Sequence, residues 1–140
     1  MELIECGRLS EKQFAALVGD EDDPWRAAEF GLEWRPKDHY VALRDDDGRL
    51  LAAAGLVVVD VQVGARPAIP VVGLGGVIVT ASHRGRGLGR RVISGALAHA
   101  EAMGPAIAML FCRSEMAGLY RRHGFAEVPG PVFVTSQAGP

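Results

Sequence analysis

The residues best suited to chemistry stand together in Val77-Ile78-Val79-Thr80-Ala81-Ser82-His83-Arg84-Gly85-Arg86-Gly87-Leu88-Gly89-Arg90. An apolar, strand-like run enters a glycine-rich turn, and arginines alternate with the glycines just where a helical pattern begins. The first turn of a helix offers unpaired N–H groups and about half a positive charge, which together receive phosphate well. Glycine lets the backbone approach such a group with no Cβ in the way, and arginine adds charge-assisted bonds. The same residues also suit a plain helix-capping turn with solvated arginines, and glycine spacing alone leaves both readings open. Two common phosphate motifs fail. No Gly-Lys pair exists for G-x-x-x-x-G-K-[ST], and G-x-G-x-x-G begun at Gly85 or Gly87 meets Arg90 or Val92 in place of its last glycine.

Other reactive side chains are less well placed. Cys6 and Cys112 show no CxxC or Cys/His spacing, which excludes a disulfide framework and a thiolate metal site. Cys112 ends an apolar run and reads as packing. His83, His99 and His123 lack H-x-x-x-H or carboxylate spacing and read as surface or capping groups, so no metal is expected. The acidic run Glu21-Asp22-Asp23 reads as a solvated loop, with attraction of a cationic amine as the functional alternative.

The elements that must hold the glycine-rich turn follow from periodicity. Leu3 to Cys6 suits an edge strand, and Ser10 caps a helix carrying Phe14, Leu17 and Val18 before Gly19. Pro24 opens a second helix after the Asp20–Asp23 loop, with Trp25, Ala28 and Leu32 as its apolar stripe. Runs at 39–44 and 50–63 read as strands joined by the hairpin signal Asp45-Asp46-Asp47-Gly48, with a bend at Gly55. Arg66-Pro67 turns the chain into a strand ending near Val79. Leu88, Val92, Ile93, Ala96, Leu97 and Ala100 then trace one helical face up to Gly104-Pro105. The run 106–112 is continuously apolar and predicts a central strand buried on both faces. Ser114 caps a short helix in which Met116, Leu119, Tyr120 and His123 share a face before Gly124, and a last strand is expected at 132–135. Alternating strands and helices predict an α/β sheet with helices on both faces.

Composition bounds the class. The 140 residues suit one domain, taken as 1–140, with no repeat or linker. An apolar share of 49% with 23% charged residues excludes disorder and coiled coil as the main description. No run of 18 apolar residues occurs and the first residues carry charges, so a soluble, untargeted, cytoplasmic protein is expected, with no membrane partner. Residues 1–50 hold thirteen acids against seven bases, and residues 51–140 four against eight. Seven of those eight later bases are Arg84, Arg86, Arg90, Arg91, Arg113, Arg121 and Arg122. Such a patch suits a small polyanion. Long nucleic acid is disfavoured by a pI near 6.1 and by the lack of aromatics among the arginines.

Arg84-Gly85-Arg86-Gly87-Leu88-Gly89 fits [Q/R]-x-x-G-x-[G/A] and resembles the pyrophosphate loop of the GNAT superfamily of acyl-CoA-dependent N-acetyltransferases. Ala117-Gly118-Leu119-Tyr120-Arg121-Arg122-His123-Gly124-Phe125 is similar to that family's A-x-x-L-Y-x-x-x-G-F segment, with the alanine one place nearer the tyrosine. The resemblance covers residues 72–128, and the pair of motifs about 30 residues apart is more specific than either alone. It implies a single-domain GNAT fold, a mixed sheet of about six to seven strands flanked by about four helices. It also implies that backbone groups of Val77, Ile78 and Val79 bind the pantetheine arm of acetyl-CoA. Arg84, Gly85, Arg86, Gly87, Leu88, Gly89 and Arg90 would then hold the diphosphate. Tyr120 would be the catalytic acid beside the cofactor sulfur, a role open to a phenol that stays protonated at neutral pH.

Departures from the family pattern are visible. Where many relatives carry a glutamate base, this chain has Gly73, Gly75 and Gly76, which instead suit a bulge that splays two strands. Asp60, His39 and Glu33 are the candidates left for a base. Cys112-Arg113-Ser114 stands where relatives often show asparagine, and Leu110-Phe111-Cys112-Arg113 resembles the aminoglycoside-acetylating branch. The expected function is transfer of an acetyl group from acetyl-CoA to a primary amine of a small molecule or peptide, by direct attack. A non-catalytic acyl-CoA-binding or sensing module is the alternative, and the resemblance allows a homodimer.

Overall fold

The computed structural model describes residues 1–19 and 37–132. Five strands form one sheet in the order β1-β2-β3-β4-β5. These are β1 (Glu2–Cys6), β2 (His39–Arg44), β3 (Leu50–Val61), β4 (Ile69–Val79) and β5 (Ala108–Met109). The first four pair antiparallel and β5 runs parallel to β4, so the sheet is mixed. Helix α1 (Glu11–Val18) lies on one face, α2 (Leu88–Glu101) on the other, and α3 (Ala117–Arg121) follows β5.

Local chemistry accounts for the main boundaries. Ser10 accepts from the Gln13 N–H at 3.1 Å while the Gln13 side chain accepts from the Ser10 N–H at 2.9 Å, a reciprocal cap that starts α1. Asp45 Oδ1 accepts from the N–H groups of Asp47 and Arg49, each at 2.9 Å, and shapes the β2–β3 turn. The α2 stripe buries Leu88, Val92, Ile93, Ala96 and Ala100 against Val41, Leu43, Leu51, Leu56, Val72 and Leu74. On the other face Leu17 is fully buried with Tyr40, Ala42, Leu50, Ala53 and Ile78. Truncating Leu17 to alanine would cost about 2–5 kcal/mol, because its side chain is fully buried in this cluster.

Several expectations are corrected. The described residues contain five strands and three α-helices, fewer than the six to seven and four expected. The second helix with Trp25, Ala28 and Leu32, and all but Val132 of the last strand, fall outside the described residues. The apolar run at 106–112 is not a strand buried on both faces. Only Ala108 and Met109 pair, with Val72 and Gly73, while Ile107 and Phe111 are 52% and 60% exposed. Ala108 and Leu110 pack toward α2, so one side of the run meets the core and the other meets solvent. The strand beginning at Leu50 ends at Val61. Gly55 does not break it, but the register shifts between Ala53 and Gly55. Gly76 and Val77 of β4 together oppose Ala54, and Gly76 takes the left-handed φ of 59° that such a bulge favours. No helix among the described residues is long and apolar enough to cross a membrane.

Candidate active site

β4 delivers the chain to α2 through a compact, backbone-rich turn. Its end is fixed by the buried Thr80, whose N–H donates to the Leu51 carbonyl at 2.8 Å. One 3-10 turn (Ala81–His83) follows, and then Gly85 and Gly87 take φ of 80° and 78°. A Cβ at either glycine would meet nothing within 4 Å, so backbone conformation rather than crowding selects glycine here. Gly87 is the N-cap of α2, and no side chain caps the helix. The first N–H groups of a 14-residue helix are thereby left to solvent or to a ligand.

The three loop arginines differ in kind. Arg84 Nε donates to the Val79 carbonyl at 3.1 Å and ties the turn back to β4. Arg86 and Arg90 are exposed on either side of Gly87. Leu88 contributes a buried side chain to the core, which leaves only its backbone for a ligand. Ile78 is buried on the α1 face, whereas Val77 and Val79 pack on the α2 face. The second arginine cluster is partly neutralised: Arg113 lies 3.3 Å from Glu115 and Arg121 lies 4.0 Å from Glu127.

Between β4 and β5 the ladder covers only Val72↔Ala108 and Gly73↔Met109. β4 continues to Val79 and the other segment to Cys112, so the sheet opens toward the α2 N-terminus. Tyr120 packs against the same core cluster as Val77 and Val79, with its ring edge-on to Phe125 at 6.1 Å. It also lines a cavity of about 380 Å³ with Leu110, Cys112, Ser114 and Ala117. None of the other expected site residues lines that cavity. Burial, and secondarily the neighbouring Cys112, push the Tyr120 phenol up to about 12, so it is protonated throughout the neutral range. Burial also raises the Cys112 thiol, with Glu127 and Glu115 adding to the effect, which keeps that sulfur a poor nucleophile.

The base candidates are scattered. Asp60 is exposed and pairs with Pro70 near the far end of the β3–β4 hairpin. His39 lies two strands from β4, its ring 5.5 Å from that of His99 on α2. Glu33 is outside the described residues. Among the described residues no group of three or more His, Cys, Asp or Glu side chains could hold a metal.

Sequence reasoning gave Lys37 no place in the fold. Gly55 and Gly75 are cross-strand partners on the α1 face, and the Lys37 stem lies in the trough they leave. A Cβ on Gly55 would stand 2.5 Å from Lys37 Cγ, and one on Gly75 would stand 2.9 Å from Cε and 3.4 Å from Nζ. Only the strand register brings these residues together.

Known proteins resemble this arrangement. Glucosamine 6-phosphate N-acetyltransferase 1 of Oryza sativa subsp. japonica is 39% identical over 92 residues, 64% of this chain. The chain spans about half (54%) of that relative's length. The crystal structure of glucosamine-6-phosphate N-acetyltransferase from Arabidopsis thaliana superposes with a TM-score of 0.61 at 12% identity, covering 99% of this chain and 100% of the other. An aminoglycoside N-acetyltransferase solved in complex with CoA gives 0.67 at 17% identity, covering 98% and 100%. These two structural likenesses show the fold. Residues 8–128 match the family model described as an acetyltransferase (GNAT) domain, and the chain belongs to the GNAT acetyltransferase family.

Proposed function

We propose that this protein transfers an acetyl group from acetyl-CoA to a primary amine, by direct attack of the neutral amine on the thioester. The observation that carries the reading is the uncapped N-terminus of α2, entered through two left-handed glycines and flanked by exposed Arg86 and Arg90. That arrangement suits a diphosphate, because helix dipole, free N–H groups and two cations act on one point. The backbone of residues 84–90 would hold the diphosphate, with Arg86 and Arg90 as its counter-charges. Backbone groups of Val77, Ile78 and Val79 would line up the pantetheine arm at the open side of β4. Support for an amine acceptor comes from relatives named for glucosamine 6-phosphate and for aminoglycosides.

Tyr120 is the residue proposed to meet the leaving sulfur. A phenol that burial raises to about 12 stays protonated and can donate a hydrogen bond to the departing sulfur. Tyr120 therefore acts by charge-assisted hydrogen bonding to the developing sulfur anion, and solvent completes the protonation. The amine's proton also leaves through water in this reading, because residues 73, 75 and 76 supply no carboxylate.

A second reading, a non-catalytic acyl-CoA-binding or sensing module, draws on that same missing base. One experiment separates the two. Calorimetric titration with CoA tests the loop, and thiol release from acetyl-CoA over a panel of amines tests transfer. Binding with turnover supports the transferase, binding without turnover supports the sensor, and no binding sinks both.

A further inference from the structure

A cavity of about 380 Å³ lies where the sheet parts. The β4–β5 ladder ends at Gly73↔Met109, and the residues that follow, Leu110, Phe111 and Cys112, line the cavity instead of pairing with β4. Tyr120 lines it as well, and the same ring packs on the core cluster that Val77 and Val79 also border. The residue proposed to meet the cofactor sulfur therefore also forms a wall of this cavity. In a thioester the acyl carbon is one bond from sulfur, so a sulfur at Tyr120 brings the acyl group to that wall. The character of the lining suits a hydrocarbon. Phe111, Val128 and Val132 line it while exposed to solvent, and an apolar chain covers such surface favourably. Cys112, its thiol raised by burial, stays neutral there and behaves as a small hydrophobe. Two charged side chains of the lining, Arg121 and Glu127, lie 4.0 Å from each other, so each is matched by the other rather than by a charged acceptor.

We propose that this cavity receives the acyl chain of the donor, and that the protein takes linear acyl-CoA thioesters of about four to six carbons, with acetyl-CoA as the shortest and weakest-bound member of the series. This rests on the transferase reading for the place of Tyr120 and widens the donor class. Size supports it: an apolar cavity of about 150 Å³ is enough to take benzene, and a methyl group needs far less. The reaction is unchanged by chain length. The amine nitrogen bonds to the acyl carbonyl carbon, and the C–S bond breaks with its electron pair going to sulfur. The proton that the amine loses is balanced by the one that the released CoA thiol gains.

The test needs no acceptor. CoA, acetyl-CoA, butyryl-CoA and hexanoyl-CoA are titrated by calorimetry into wild type, Cys112→Phe and Val128→Asp. Each buried methylene should tighten binding to wild type by about fourfold, while free CoA binds all three proteins alike. Cys112→Phe fills space beside Tyr120, and Val128→Asp sets a charge in the lining, so both should flatten the dependence on chain length. Val128 is exposed, so its variant keeps the fold even where Cys112→Phe lowers the melting temperature. Equal affinity for acetyl-CoA and hexanoyl-CoA in wild type overturns the proposal. So does a chain-length dependence that survives in both variants, which puts the hydrocarbon elsewhere. Thiol release over the amine panel with acetyl-CoA and hexanoyl-CoA separates this inference from the reading beneath it. Turnover of acetyl-CoA alone removes the acyl cavity and keeps the transferase. Binding that grows with chain length, without turnover of either donor, keeps the cavity and removes the transferase. No binding of any thioester removes both.

Discussion

Replacing Tyr120 by phenylalanine removes one hydroxyl and leaves the ring, so the structure allows its consequences to be worked separately for stability and for rate. The ring keeps its edge-on contact with Phe125 at 6.1 Å and its place against the α2 core. Burial and Cys112 account for the raised phenol, and among the described residues no hydrogen bond to the hydroxyl contributes. Unfolding free energy should therefore move by less than about 0.5 kcal/mol. The rate should move more. A charge-assisted hydrogen bond to departing sulfur is worth about 1.5–3 kcal/mol, which is about 10- to 150-fold in kcat. Full proton donation would ask for about 10²–10⁴-fold. Steady-state thiol release, CoA calorimetry and urea melts on this one variant measure all three quantities. A kcat within about threefold of wild type would refute the role given to Tyr120. A large rate loss accompanied by destabilisation of about 2 kcal/mol or more would refute the claim that the hydroxyl is structurally idle.

Gly87→Glu places a carboxylate on a left-handed residue at the α2 N-cap, so calorimetry should find CoA binding abolished, and wild-type affinity in this variant would discard the loop. Converting Arg86 and Arg90 together to glutamine should weaken CoA binding by about 1–3 kcal/mol and flatten its salt dependence, read from titrations at several ionic strengths. An unaltered slope would return both arginines to the solvated surface. Stability offers a pH test at Tyr120, whose folded pKa lies above its unfolded value. The contribution is fully present below about pH 10 and is lost as pH rises toward about 12, so alkaline melts should fall in wild type and less in Tyr120→Phe.

Much of the scaffold is legible locally because short-range chemistry sets it. Ser10 and Gln13 cap α1, Asp45 and Gly48 turn β2 into β3, and the α2 stripe buries the residues that its spacing selects. The run at 106–112 misleads because continuous apolarity is compatible with burial on one side only. Ala108 and Leu110 meet the core while Ile107 and Phe111 do not, and two ladder pairs suffice to place the segment beside β4.

The candidate site and the packing of Lys37 differ in the kind of information that builds them. The diphosphate loop is written in consecutive residues: φ of 80° and 78° at Gly85 and Gly87, a helix start without a side-chain cap, and two outward arginines. Each of those properties depends on one residue and its neighbours, so spacing reveals them. The packing of Lys37 across β3 and β4 depends on a register. Gly55 and Gly75 are 20 positions apart and become a trough only when β3 and β4 pair, with the bulge at Gly76 setting which glycines face each other. Lys37 has no meaning in that context until β2 lays its preceding residues across the pair. A single-residue slip would turn Gly75 to the α2 face. Gly75, one of the glycines that stand where a glutamate was expected, thus also leaves room beside Gly55 for the Lys37 stem.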